Sequence, residues 1–186
     1  RRADHEPVVE VGEERGTHAR GADQLVDVGR LVRRQDVGRL GVDDVDAVDV
    51  YSCFPSAVQV AARELGLGLD DLQRPLTVTG GLTFAGGPWN NYVTHSIATM
   101  AERLAAHPGQ VGLITANGGY LTKHSFGVYS TEPPVHEFRW ADVQSEVDAE
   151  PTVVAEDDWS GTGTVEAWTT PVTREGAPEK VFVAVR

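Results

Sequence analysis

The stretch GGLTFAGGPWNN, residues 80–91, limits what this chain can fold into more than any other. Four glycines, a proline and two asparagines separate the apolar run PLTVTG (75–80) from a helical pattern that begins after Asn91. So much backbone freedom at one point is either a loose linker or a place where a ligand must come close to the main chain. A phosphate-cradling P-loop needs Lys and Ser/Thr after its last glycine. Gly81 and Gly86 have that spacing, but Gly87-Pro88 stands in those two places. A dinucleotide fingerprint also fails, because no G-x-G-x-x-G opens the helix. What remains is a strand feeding a glycine loop at a helix N-terminus, where backbone N–H groups favour anions.

The flanking residues supply an alternating strand and helix pattern. AVDVYS (47–52) reads as a short strand. FPSAVQVAARELG (54–66) places Val58, Ala61, Ala62 and Leu65 at helical spacing, with Pro55 suited to the first turn and Gly66 to the C-terminal cap. PLTVTG reads as a second strand. Val93, Ile97, Met100, Ala101 and Leu104 share one helical face, and His107-Pro108-Gly109 stops that helix. VGLITA (111–116) is a buried-type strand, Asn117-Gly118-Gly119 a tight turn, and YLTKHSFGVYS (120–130) the returning strand of a hairpin. The order predicts a layered α/β unit over residues 47–131.

Residues 1–46 draw on a narrow alphabet, with no aromatic, Ile, Ser, Lys, Asn or Met before Tyr51. The valines there follow no clear period, so little structure is expected up to about Arg39. Such a segment is either a disordered arm or an out-of-frame product of a GC-rich gene. Residues 132–158 hold nine acids against one base, Arg139, and read as a solvated linker. GTGTVEAWTTPV (161–172) and VFVAVR (181–186) form a hairpin, the opening of a small OB-like β-domain over 159–186. A net charge of −12, with half of the 16 basic residues before position 40, argues against nucleic acid. No apolar run reaches the roughly 18–20 residues of a membrane span. No secretory leader is expected, and a single cysteine, Cys53, suits a reducing, cytoplasmic setting. A chain beginning at Arg1 is expected to be a piece of a longer protein or a processed one.

Three motifs in order carry a family resemblance. TGGLTFAGGPWNN resembles the thiolase loop of the form G-G-x-x-x-x-G-H-P, YSCFPSA resembles the H-D-C-F motif of sterol-carrier-protein-2-type thiolases, and TANGGYLTK lies where thiolases carry C-x-G-G-G. The chain is similar to the C-terminal half of a thiolase-like protein of type 1, a group with an additional C-terminal β-rich domain. The resemblance implies an acetyl-CoA acetyltransferase-like enzyme that forms or cleaves a carbon–carbon bond on coenzyme A thioesters. No permanently bound cofactor and no metal are expected, and the thioester is the substrate. Cys53 takes the acid/base place of H-D-C-F, two residues before the helix start at Pro55, where a helix N-terminus favours a thiolate. Its sulfur is expected to point inward beside the glycine loop; a buried structural cysteine is the alternative. Gly86, Gly87, Gly118, Gly119 and His124 line the implied substrate site.

The pattern is not complete. Gly87 replaces the histidine of G-H-P, Tyr51 and Ser52 replace the H-D pair, and Ala116 replaces the cysteine of C-x-G. Asn90 and Asn91 offer amide donors in place of the lost imidazole, or simply cap the helix. His95 is a candidate base on the polar face of that helix, or an ordinary exposed histidine. Trp89 is expected to pack on the loop. The nucleophile-bearing N-terminal half of thiolases has no counterpart here, so that half is an implied partner and this chain alone does not complete the cycle. Thiolases commonly pair through their sheets, so a homodimer is allowed. The competing reading is a catalytically degenerate thiolase-fold scaffold that binds CoA esters. A third is a partner-recruiting subunit, built on the acidic linker and β-domain.

Overall fold

A computed structural model describes residues 8–11, 41–119, 121, 123–132, 142–151, 154–156 and 159–186. In chain order the elements are β1 (Val8–Val11), β2 (Ala47–Asp49), α1 (Pro55–Leu65), α2 (Leu82–Ala85), α3 (Tyr92–Ala106), β3 (Val111–Gly118), β4 (Lys123–Ser130), α4 (Gln144–Asp148), β5 (Gly161–Thr169) and β6 (Phe182–Val185). The fold is mixed α/β, as the sequence predicts. The chain divides into two units: one holds β1 with residues from Val154 onward, the other the elements from β2 to α4. Expectations for residues 1–7, 12–40, 120, 122, 133–141, 152–153 and 157–158 lie outside the described residues.

In the larger unit β2 runs parallel to β3, and β4 returns antiparallel beside β3. Side chains alternate across a strand, so successive residues of β2 and β3 serve two cores. Val48, Val50 and Leu113 pack on one face with Ala61, Ala62 and Leu65 of α1. Ala47 and Ile114 face the other way, against Met100 and Leu104 of α3. The sheet is therefore sandwiched between α1 and α3. Each fully buried Val or Leu in these layers contributes about 1.5–3 kcal/mol relative to exposure.

Helix α1 follows its local signals. Pro55 occupies the first turn, and Gly66 ends the helix in the left-handed region with its N–H on the carbonyls of Ala62 and Arg63. Helix α3 exists where the periodicity places it, but its inward stripe is Tyr92, Ser96, Met100 and Leu104. Ile97 is 37% exposed and Ala101 is exposed. The helix is turned from the expected face because Tyr92 is anchored below it, as described in the next subsection.

Where α3 crosses β3, the approach is close. A methyl group added at Gly112 would collide with the Met100 sulfur, and Met100 is itself fully buried. Gly112→Ala is expected to lower the unfolding free energy by about 1–3 kcal/mol, the cost of overpacking a filled core. Urea denaturation checks this; an unchanged midpoint would mean that Met100 has room to move aside.

Three further expectations change. Residues 75–80 form no strand: the N–H groups of Val78, Thr79 and Gly80 go to side-chain oxygens and not to a ladder. The hairpin turn begins at Gly119, since Asn117 and Gly118 still pair with His124 and Lys123. Val8–Val11, within the segment expected to carry little structure, is a strand paired with β5. The β5–β6 hairpin is present and antiparallel. It leaves the far edge of β5 open, and the valine-rich VVEV satisfies that edge. In the acidic stretch, Gln144–Asp148 makes a short helix.

Candidate functional site

Because β2 and β3 are parallel, their C-terminal ends lie at one edge of the sheet, where α/β folds commonly place ligands. Cys53 follows β2 at this edge and precedes the first turn of α1. Gly118 and Gly119 lie at the end of β3, and His124 stands opposite Asn117 at the start of β4. The glycine loop enters the same edge through residues 77–79, which are bound to Asp49, the last residue of β2. Asn90, Asn91 and His95 stand at or in the first turn of α3. The end of β2, the entry to the glycine loop and the first residue of α3 are thus joined at one end of the sheet.

The glycine loop is set by side-chain oxygens. Asp49 Oδ2 accepts the N–H groups of Val78 (3.2 Å) and Thr79 (3.3 Å). Thr77 Oγ1 accepts the Gly80 N–H at 3.1 Å, and Thr79 Oγ1 accepts the Gly81 N–H at 3.0 Å. The next N–H, from Leu82, is donated to Ser52 Oγ at 3.0 Å. Gly81 has φ 77°, and a Cβ there would lie 2.8 Å from Ser52 Oγ. Only glycine allows both that backbone conformation and that approach. Ser52 is one of the two residues that replace the thiolase H-D pair; here it ties the loop to the strand that carries Cys53.

Below the loop sits a buried polar cluster. Asp49 is 0% and Tyr92 1% exposed. The Tyr92 hydroxyl donates to Asp49 Oδ1 at 2.9 Å and lies 2.8 Å from Thr79 Oγ1. Burial raises the Tyr92 pKa above the ordinary tyrosine value; the hydrogen bond with Thr79 opposes the shift and the negative charge of Asp49 adds to it. The phenol therefore stays protonated and keeps donating to the carboxylate throughout the neutral range. Tyr51 closes the cluster: its N–H donates to Thr115 Oγ1 at 2.9 Å, and its ring meets Tyr92 edge-on at 5.3 Å.

The individual predictions fare unevenly. Cys53 is a free thiol and is exposed, not the inward-facing sulfur that was expected. The chain turns out of the core at Ser52–Phe54, and Phe54 is exposed as well. Asn90 and Asn91 are exposed, and neither caps α3 through its side chain. Trp89 does not pack on the loop: it is 91% exposed and holds φ 52°, a left-handed conformation uncommon outside glycine. His95 is half-buried. The His124 ring is engaged by the hairpin, with Nε2 3.1 Å from the Leu121 carbonyl and its face stacked on Phe126. Gly86 has φ 79°, with open space where a Cβ would stand. Among the described residues, no hydrogen bond joins Cys53, Asn90, Asn91 and His95 to one another, and no acidic, His or Cys group is disposed to hold a metal.

Sequence reasoning missed Asp49, Thr77, Thr79 and Tyr92. One signal was present: an aspartate inside the apolar run AVDV, in a strand otherwise fit for burial on both faces.

Residues 142–186 match the family model described as the thiolase-like protein type 1 additional C-terminal domain. A solved structure, that of a monomeric SCP2-thiolase-like protein type 1 from Mycobacterium smegmatis, aligns at a TM-score of 0.61 and 40% sequence identity. The alignment covers 78% of this chain and 35% of that one, so the chain spans about a third of the relative's length. No curated protein matches the chain. The two findings agree: residues 142–186 match the additional C-terminal domain of thiolase-like protein type 1, and the chain is similar in sequence and fold to about a third of a solved protein of that type.

Proposed function

We propose that residues 47–131 form one wall of an acyl-coenzyme A site in a thiolase-like acyltransferase, which makes or breaks a carbon–carbon bond next to a thioester. One observation carries this reading. Ser52, the residue before Cys53 and two before the N-cap of α1, accepts the Leu82 N–H of the glycine loop. A thiol at a helix N-terminus suits acid/base work on an α-carbon. Backbone and amide donors at the start of α3 suit the developing enolate oxygen, with Asn90 and Asn91 as the side-chain donors offered there. Gly86, Gly87, Gly118 and Gly119 would let the pantetheine arm run close to the main chain. His124 and His95 would flank it. A second polypeptide segment would supply the acyl-carrying nucleophile and cover the exposed sulfur. A cytoplasmic setting suits a free thiol in such a role.

A second reading is favoured by the exposure of Cys53 together with glycine at position 87: a scaffold that binds CoA esters without turning them over.

Calorimetric titration of acetyl-CoA into the whole chain tests the first element shared by both readings. Saturable binding is expected, and alkylation of Cys53 with iodoacetamide should suppress it. A chain with no heat of binding sinks the thioester site. Binding that alkylation leaves intact puts the ligand elsewhere.

A further inference from the structure

We propose that Asp49, Thr79 and Tyr92 are positioning residues for the thioester site: a buried relay that fixes the glycine loop and the first turn of α3 to the end of β2. The proposal rests on the functional reading above and assigns no contact with substrate to these three groups.

The geometry singles them out. The two oxygens of Asp49 address different elements. Oδ2 receives Thr77 Oγ1 (3.4 Å) and the N–H groups of Val78 and Thr79 from the loop's entry, whereas Oδ1 receives the phenol of α3. Thr79 Oγ1 joins the two arms, sitting between the Tyr92 hydroxyl and the Gly81 N–H. From Val78 to Leu82, every backbone N–H is bound by a side-chain oxygen, from Asp49, Thr77, Thr79 or Ser52. No sheet ladder or helical bond takes up these five N–H groups; the hydroxyl and carboxylate oxygens do.

An apolar contact would join α3 to the sheet equally well, since buried polar groups often stabilise no better than well-packed hydrocarbon. What the polar cluster adds is register. A carboxylate accepting from donors of fixed direction permits one depth and one rotation of the loop. The face of α3 fits this account, because Tyr92 and Ser96 are buried beside Met100 and Leu104 while Ile97 is exposed. The loop is thereby presented beside Cys53 through the Ser52 hydrogen bond.

The test uses Tyr92→Phe, Thr79→Val and Thr79→Ser in the whole chain. Amide hydrogen exchange is followed by peptide mass spectrometry, alongside acetyl-CoA binding. Tyr92→Phe and Thr79→Val are expected to speed exchange at 78–82 by about tenfold or more, with β3 amides changing by less than about twofold, as befits a local opening. Acetyl-CoA binding should weaken with the loop, and Thr79→Ser, which keeps the hydroxyl, should restore both. Unchanged exchange at 78–82 overturns the proposal. So does an increase shared equally by β3, which marks a general loss of stability, and so does a serine variant no better than valine. If the unmodified chain does not bind acetyl-CoA, the functional reading fails by itself, and the exchange comparison decides whether the relay sets the loop.

Discussion

Asp49→Ala lowers the unfolding free energy of the larger unit by about 3–4 kcal/mol, among the largest effects a single substitution in this chain should have. The residue is fully buried, and its two oxygens accept from Thr77, Val78, Thr79 and Tyr92. Alanine removes the acceptor and leaves those donors in place. A buried donor left unsatisfied costs about 1–3 kcal/mol; Thr77 Oγ1 and Thr79 Oγ1 can recover part of this, because they already lie near the Thr79 N–H and the Tyr92 hydroxyl. The Val78 N–H has no such substitute among the bonds described. Urea denaturation followed by far-ultraviolet circular dichroism measures the change. A variant within about 1 kcal/mol of the parent would show that water reaches these donors, and that the cluster is less closed than its burial suggests.

How far the sequence reveals this architecture depends on the range over which each element is determined. Helix α1 is local: Pro55, the apolar spacing and Gly66 specify its start, its inner face and its end, and all three are visible without knowing the fold. Helix α3 is legible as a helix, yet its orientation is not. Met100, Leu104 and the partly buried Val93 face the core as expected, but Tyr92 and Ser96 are buried in place of Ile97 and Ala101, because a phenol at the right height finds the Asp49 carboxylate 43 positions earlier in the chain. A local competition explains why PLTVTG reads as a strand and is not one. Its valine and threonines have strand propensity, but the hydroxyls of Thr77 and Thr79 compete for the main-chain donors. Strand β1 is hidden for a different reason: its partner, β5, lies at the other end of the chain.

The site divides in the same way. That the glycine loop meets the chain just after β2 was legible, because short motifs at the ends of neighbouring strands fall at one sheet edge. The direction of the Cys53 side chain was not. Periodicity describes residues inside elements, and Cys53 occupies the bend between β2 and α1, where no period operates. Ser52 illustrates the gain from coordinates. As a sequence feature it is a departure from the H-D pair; in the fold it is the acceptor that locks Leu82 and requires glycine at position 81.

Cys53→Ser separates chemistry from structure more cleanly than any other change. The side chain is exposed, so substitution should alter stability by no more than about 0.5 kcal/mol. Serine keeps the shape and a hydroxyl, but an alcohol holds its proton far more tightly than a thiol and cannot replace it as an acid/base near neutrality. If Cys53 moves the α-proton, exchange of the acetyl-CoA methyl protons with deuterated solvent should fall by about 10²–10⁴-fold, the usual weight of a positioned acid/base. The reaction is followed by proton NMR on a polypeptide containing this chain, with Cys53→Ala as a second variant. Equal loss in both variants, with acetyl-CoA affinity unchanged, assigns the proton transfer to sulfur. Loss only in alanine points to a hydrogen bond that serine also makes. Exchange at the parental rate in both removes Cys53 from the chemistry and leaves the scaffold reading, in which the glycine loop binds the thioester and nothing on this wall reacts with it.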